Sequence, residues 1–225
     1  MVAIDSARDI PARAPGQTGF TGFILLFAVL GAGLVAAASL SMNTAAGNSW
    51  HVAAEMVSRF SLLVFAVTML VEPLSRLIPS KVTRIIGRER GSLMLSFAVV
   101  SAVGLACVAA PTELSGQPMT MEAVAYSALT ALILVVLLAS AHPATMRFLG
   151  GPAWRTLQRV ATAYFWLVFF LTGIEHLIGP HLPDRWYGFS VLLLVGVLLV
   201  RFTDALVAHW RLSHWRGTRL ATQAA

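Results

Sequence analysis

Residues 53–72 read AAEMVSRFSLLVFAVTMLVE, and from Phe60 to Val71 the run holds no charged side chain. Apolar residues fall on every face of that segment, at helical and at strand spacing alike. A barrel strand would alternate in polarity, so the reading is a helix apolar all round. A hydrocarbon core about 30 Å thick takes about 20 such residues. Working outward, the runs at 20–41, 92–110, 121–141, 158–178 and 187–208 meet or approach that length. The chain as a whole is 57% hydrophobic and 12% charged, with a mean hydropathy of +0.77, a composition foreign to soluble domains. The expectation is an all-α integral membrane bundle of six transmembrane helices over 20–208.

Charge placement orients that bundle. The 73–91 connection carries Arg76, Lys81, Arg84, Arg88 and Arg90, and the 142–157 connection carries Arg147 and Arg155, with Arg159 just inside the next helix. Arg211, Arg216 and Arg219 lie in the basic segment 209–225. The 42–52 and 111–121 connections have no Lys or Arg, and 179–186 has Arg185 alone. Basic loops stay on the cytoplasmic side, so both termini are expected there. The formal charge of +6 is spread over loop ends, which fits topology and anionic-lipid attraction and gives no reason to invoke nucleic acid.

Residues 1–19 are polar and rich in Pro, Gly and Ala, with Arg8 and Arg13 set against Asp5 and Asp9; they read as a disordered cytoplasmic tail. The run that follows can be a signal peptide, with Ala36, Ala37 and Ala38 near its end, or an uncleaved first span. Its length and the charge pattern favour the span. Gly31 and Gly33 within it suit close helix packing. No polar connection exceeds about twenty residues, too few for a nucleotide-binding module of roughly 50 or more. Neither a phosphate-binding loop nor a dinucleotide fingerprint is present, and no internal repeat marks an inverted-repeat transporter. Cys107 is the one cysteine, inside an apolar run, and reads as a small buried hydrophobe.

Ionisable residues within a span are costly and mark candidate sites. Glu55 and Arg59 lie four apart and can face each other along one helix side, as a proton or substrate site or as a self-neutralising pair; pairing removes most of the burial cost and is preferred. Glu72, before Pro73, is expected to meet water or Arg76, and Arg201 and Asp204 invite pairing one turn apart. His51, His176 and His181, with Glu175 nearby, are grouped at the outer side and are weak candidates for a haem or metal site. His142 is a membrane thickness from His176, so those two cannot hold one haem. His209 and His214 belong to the basic segment, with Trp210 and Trp215 at the lipid interface. No nucleophile–base set and no metal motif stands out.

The stretch from Trp50 to Ala110, including Phe60 to Ala66 and Arg88 to Ala98, resembles helices two and three of the ferric reductase-like transmembrane family. Arg147-Phe148-Leu149-Gly150, then Trp154 to Arg159 and Tyr164-Phe165-Trp166, resembles that family's entry into its fifth helix, so the likeness covers about 50–175. The family includes haem-binding membrane subunits of bacterial reductases, among them the type serving methionine-sulfoxide repair. The resemblance implies a multi-pass protein of the bacterial inner membrane, one-electron transfer, a b-type haem, and a redox partner protein or quinone. It also implies histidines after the Leu95-Ser96-Phe97-Ala98-Val99 run and before Arg159. This chain has Ser101, Gly104 and Gln158 there, none of them a usual axial ligand. Two functional readings follow: a divergent electron-transfer subunit dependent on a partner, or a haem-free structural or partner-binding membrane component. A small transporter built on Glu55 and Arg59 is the third.

Overall fold

Apolar runs with no water to satisfy their peptide groups must bond within the segment, and helices do so completely. The computed structural model describes residues 17–42, 46–115, 121–140, 143–179 and 185–223, and among them there are helices and no strand. They are α1 (Gln17–Met42), α2 (Ala46–Leu77), α3 (Lys81–Arg88), α4 (Arg90–Ser115), α5 (Met121–Ser140), α6 (Pro143–Ile178) and α7 (Arg185–Gln223). Five are long and apolar enough to cross a membrane, over Gly22–Ser41, Ser49–Leu77, Gly91–Ala109, Pro152–Ile178 and Arg185–Trp210. The expected span at 121–141 is represented by a shorter apolar stretch, Val124–Ala139.

Several boundaries differ from the sequence reading. Residues 17–19, assigned to the tail, form the first turn of α1, while 1–16 lie outside the described residues. Within segment 209–225 the chain is helical as far as Gln223, because α7 runs on through Arg, Leu and Ala residues, which are strong helix formers. The 73–91 connection is largely helical: α2 continues through the buried Pro73, and the short α3 starts on a capping box. There Ser80 accepts from the Thr83 backbone N–H while the Ser80 N–H donates to Thr83 Oγ1, satisfying two donors reciprocally. Helix α6 is broken at Gly150 (φ 74°, ψ 156°), a conformation open to glycine alone, and Pro152 restarts the helix six residues earlier than 158.

Packing runs from neighbour to neighbour: α2 on α4, α4 on α5, α5 on α6, α6 on α7, and α7 back on α2. Helix α1 lies against both α2 and α4. All five helices of the closed circuit send residues into one core, including Leu62, Phe65, Phe97, Leu134, Leu137, Phe165, Leu194 and Val197. At its centre Phe97 meets Phe165 edge-on at 4.8 Å and Phe65 at 5.0 Å, with Phe169 5.6 Å from Phe65. A smaller cluster of Ala28, Ala32, Val57 and Val100 joins α1 to the α2–α4 pair. Gly31 does serve close packing there, since a Cβ would come within 3.0 Å of the Phe60 ring; Gly33 faces open space and does not. Gly173 lets α6 approach α7, where a Cβ would stand 2.8 Å from Val191.

The outward faces are as apolar as the core. On α7 the exposed side chains Leu192, Val195, Leu199, Phe202 and Leu206 recur at three- and four-residue steps, and Leu34 of α1 is 74% exposed. A stripe of that size is untenable in water and natural against lipid. The chain is thus a multi-pass helical protein suited to a bilayer.

Replacing Phe97 by Ala removes the ring that three other phenylalanines contact. The expected loss is about 3 kcal/mol, against about 1 kcal/mol for Phe97→Leu, read from unfolding of the detergent-solubilised protein.

Candidate functional site

Helix α2 carries His51, Glu55 and Arg59 at four-residue steps, so the three lie on one face of one helix. Near that end of the bundle, α6 brings His176 and α7 brings Trp186 and Tyr187. Together they line a cavity of about 410 Å³, with Ser58, Phe169, Thr172 and Ser190 also on its wall. That volume is within the range of small-molecule sites, and apolar walls carrying a few convergent polar groups are their usual composition.

The polar groups are fixed by one another. Arg59 Nη2 donates to Glu55 Oε1 at 2.5 Å, and Tyr187 Oη donates to the same oxygen at 3.2 Å. The guanidinium lies over Trp186 at 5.4 Å and Tyr187 at 5.9 Å from the ring centroids, inside cation–π range. The ring of His176 stacks on Tyr187 at 4.1 Å. Its Nδ1 is 2.9 Å from the Thr172 carbonyl, which can accept and not donate. Nδ1 therefore carries a proton, which it donates to that carbonyl. The pair and the tyrosine tie α2 to α7, and the stacked histidine adds α6. The site can offer hydrogen bonds of both kinds and a flat aromatic wall.

The sequence candidates are distributed as follows. His51, Glu55, Arg59 and His176 are brought together at this cavity. Glu175 is exposed and absent from the cavity wall. His181 and His142 lie outside the described residues, and no group of three or more His, Cys, Asp or Glu that could hold a metal occurs among those described. Cys107 is buried with its thiol free. Glu72 accepts from Arg76 Nη2 at 2.5 Å. Asp204, however, is bound by Arg76 at 3.1 Å rather than by Arg201, a cross-helix pair between α2 and α7 in place of the expected turn-spaced one. Arg201 points instead to the Met69 sulfur, 3.1 Å away. Position along α7 could not reveal this, because it depends on which face α2 presents.

The positions where the resemblance puts histidines are occupied otherwise. Ser101 Oγ hydrogen-bonds Ser61 Oγ at 2.7 Å across the α2–α4 seam. A Cβ on Gly104 would meet Val57 Cγ1 at 3.4 Å, so that glycine lies at the same seam. Gln158 is half-buried on α6, toward the other end of that span from His176. Between them the packed phenylalanines fill the core. These residues do not fit a haem held at the family's positions: they supply no ligand side chain, and the seam offers no gap. Trp186, Tyr187 and Phe169 line the cavity and were not singled out by the sequence; the adjacent aromatics at the start of α7 were the available signal. No protein-family model matches the chain, and neither a curated protein nor a solved structure matches it.

A double-mutant cycle on Glu55→Gln and Arg59→Gln is expected to give a coupling of about 1 kcal/mol in thermal unfolding. The value is modest because the side chains keep 38% and 22% of their exposure and water screens the pair.

Proposed function

We propose that the chain is a six-span protein of the bacterial inner membrane with both termini cytoplasmic, a divergent relative of ferric reductase-like subunits that works without haem at that family's positions. Its ligand site is the cavity at the outer ends of α2, α6 and α7, and the ligand class that suits it is a quinone-type ring. The observation that carries the reading is the closed α2–α4 seam, where Ser101 and Gly104 pack instead of ligating. The cavity then supplies what a quinone needs. Tyr187, Arg59 and His51 can hydrogen-bond carbonyl oxygens, Trp186 and Phe169 can flank a ring, and Glu55 can exchange protons. In this reading electrons come from or go to a partner protein, since the ligand is itself the carrier. Six spans follow if Val124–Ala139, about 24 Å long as a helix, crosses with its flanking residues, a shortfall that local thinning accommodates.

A second reading has one specific observation in its favour. His51 and His176 face the same cavity from different helices, and an imidazole whose Nδ1–H is held by a carbonyl is the arrangement typical of a metal-ligating histidine. On that reading the two imidazoles would hold a b-type haem, which would supply one-electron chemistry.

The two separate in one experiment. Protein purified from membranes supplied with haem is expected to show no Soret band, while a ubiquinone or menaquinone analogue quenches its tryptophan fluorescence. Tyr187→Phe and His51→Ala should each weaken that binding about fivefold, the value of one hydrogen bond. A Soret band abolished by His51→Ala or His176→Ala would instead establish the haem reading. The topology has its own check in a Cys107→Ala background. Ala46→Cys is expected to react with a membrane-impermeant maleimide from outside spheroplasts, and Lys81→Cys only after permeabilisation.

A further inference from the structure

A groove of about 260 Å³ lies between α1, α2 and α4, with Ile24 and Phe27, Phe60 and Val67, and Leu93 and Ser96 among the residues on its respective walls. Ser96 is the one polar residue lining it; it is 1% exposed, and its Oγ has no hydrogen-bond partner among the described residues. Other hydroxyls in these helices are satisfied. Ser39, Thr68 and Thr203 each donate to the carbonyl four residues back, and Ser61 pairs with Ser101. A buried hydroxyl left without a partner is costly, so its place beside an apolar groove points to a ligand that completes it. We propose that the groove holds an uncharged acyl-ester lipid of the diacylglycerol class, whose ester carbonyl accepts from Ser96.

The walls explain each part of that ligand. Water is a poor occupant, since it needs two or more polar partners and the groove offers one. An ester carbonyl donates nothing and is served by a single hydroxyl. The contacts of Phe65 with Phe97 and of Ser61 with Ser101 put Ser96 level with the Val67 end of the groove. From there the wall follows α2 to Phe60 for about 10 Å, an apolar slot for an acyl chain. Phe27 is 65% exposed and Val67 49% exposed, so the mouth of the groove faces the surrounding lipid. Ser96 lies about 8 Å along α4 from Gly91, where that span begins. A phospholipid with its ester at that depth would draw a charged head group below the membrane surface, a cost that an uncharged glyceride escapes. The site requires that the helices lie in a bilayer and is independent of what fills the outer cavity.

The test is native mass spectrometry of the full-length protein in detergent, titrated with a diacylglycerol, with the dialkylglycerol ether of the same chain length, and with phosphatidylglycerol of the same chains. The expected result is retention of the ester about fivefold stronger than that of the ether, the value of one hydrogen bond, with phosphatidylglycerol weaker than the diacylglycerol. Ser96→Ala should bring ester and ether to the same level. Val67→Trp, which narrows the mouth, should weaken both, whereas Leu192→Trp on the exposed face of α7 should leave both unchanged. Should Val67→Trp not fold, the ester–ether comparison in the wild type and in Ser96→Ala decides. Equal retention of ester and ether by the wild type, a preference that survives Ser96→Ala, retention unmoved by Val67→Trp, or phosphatidylglycerol held as well as the diacylglycerol would overturn the assignment.

Discussion

Three layers of side chains hold α2 against α4: Val57 over Gly104, Ser61 bonded to Ser101, and Phe65 against Phe97. The partners advance by four residues along α2 and retreat by three and four along α4, as antiparallel helices require. In lipid there is little hydrophobic gain in pressing two apolar helices together, so association rests on close van der Waals contact and on hydrogen bonds between small polar residues. The middle layer is such a bond, and the glycine permits the close approach. Once the pair is set, α1 has a surface to lie on and the phenylalanines of α6 have a ring to pack against. The rotation of α2 is fixed as well.

That rotation decides where the charges go. With Val57, Ser61 and Phe65 committed to the seam, the face carrying His51, Glu55 and Arg59 turns toward α6 and α7. Glu55 meets Tyr187 of α7 at one end of the helix and Arg76 meets Asp204 of α7 at the other. Helix α7 is therefore tied to α2 by a polar contact near each end, with an apolar core between. A polar group without a partner in hydrocarbon costs several kcal/mol, so such contacts discriminate against other registers even where each contributes modestly to stability. The Glu55–Tyr187 contact also shapes a cavity, because Arg59 is held over two aromatic rings and its charge is spread across a wall of the site.

The resemblance to ferric reductase-like domains and the packing of the seam address the same positions from different directions. The resemblance implies histidine at the positions that Ser101, Gly104 and Gln158 occupy. Instead Ser101 and Gly104 contribute to helix association, a use that a bulky imidazole would oppose. The chemistry-bearing side chains are gathered at the end of the bundle, not at its middle.

From the sequence alone one reads helices of membrane length, basic residues concentrated in alternate connections, and Glu55 and Arg59 close enough along α2 to pair. All of these are local: they depend on residue type and spacing within one segment. The sequence grouped His51 with His176 but did not reveal that Tyr187 reaches Glu55, or that Asp204 prefers Arg76 to its near neighbour Arg201. It also left α2 ending too early, before Pro73, and α6 starting too late. Soluble helices advertise their inner face by a polar outer one, whereas here Leu192 and Leu206 of α7 face outward and Leu194 and Val197 inward with nothing in their chemistry to tell them apart. Rotation and register were settled only when Gly104, Ser61 and Ser101 found one another across the seam, because small and polar contacts are the ones that lipid cannot replace.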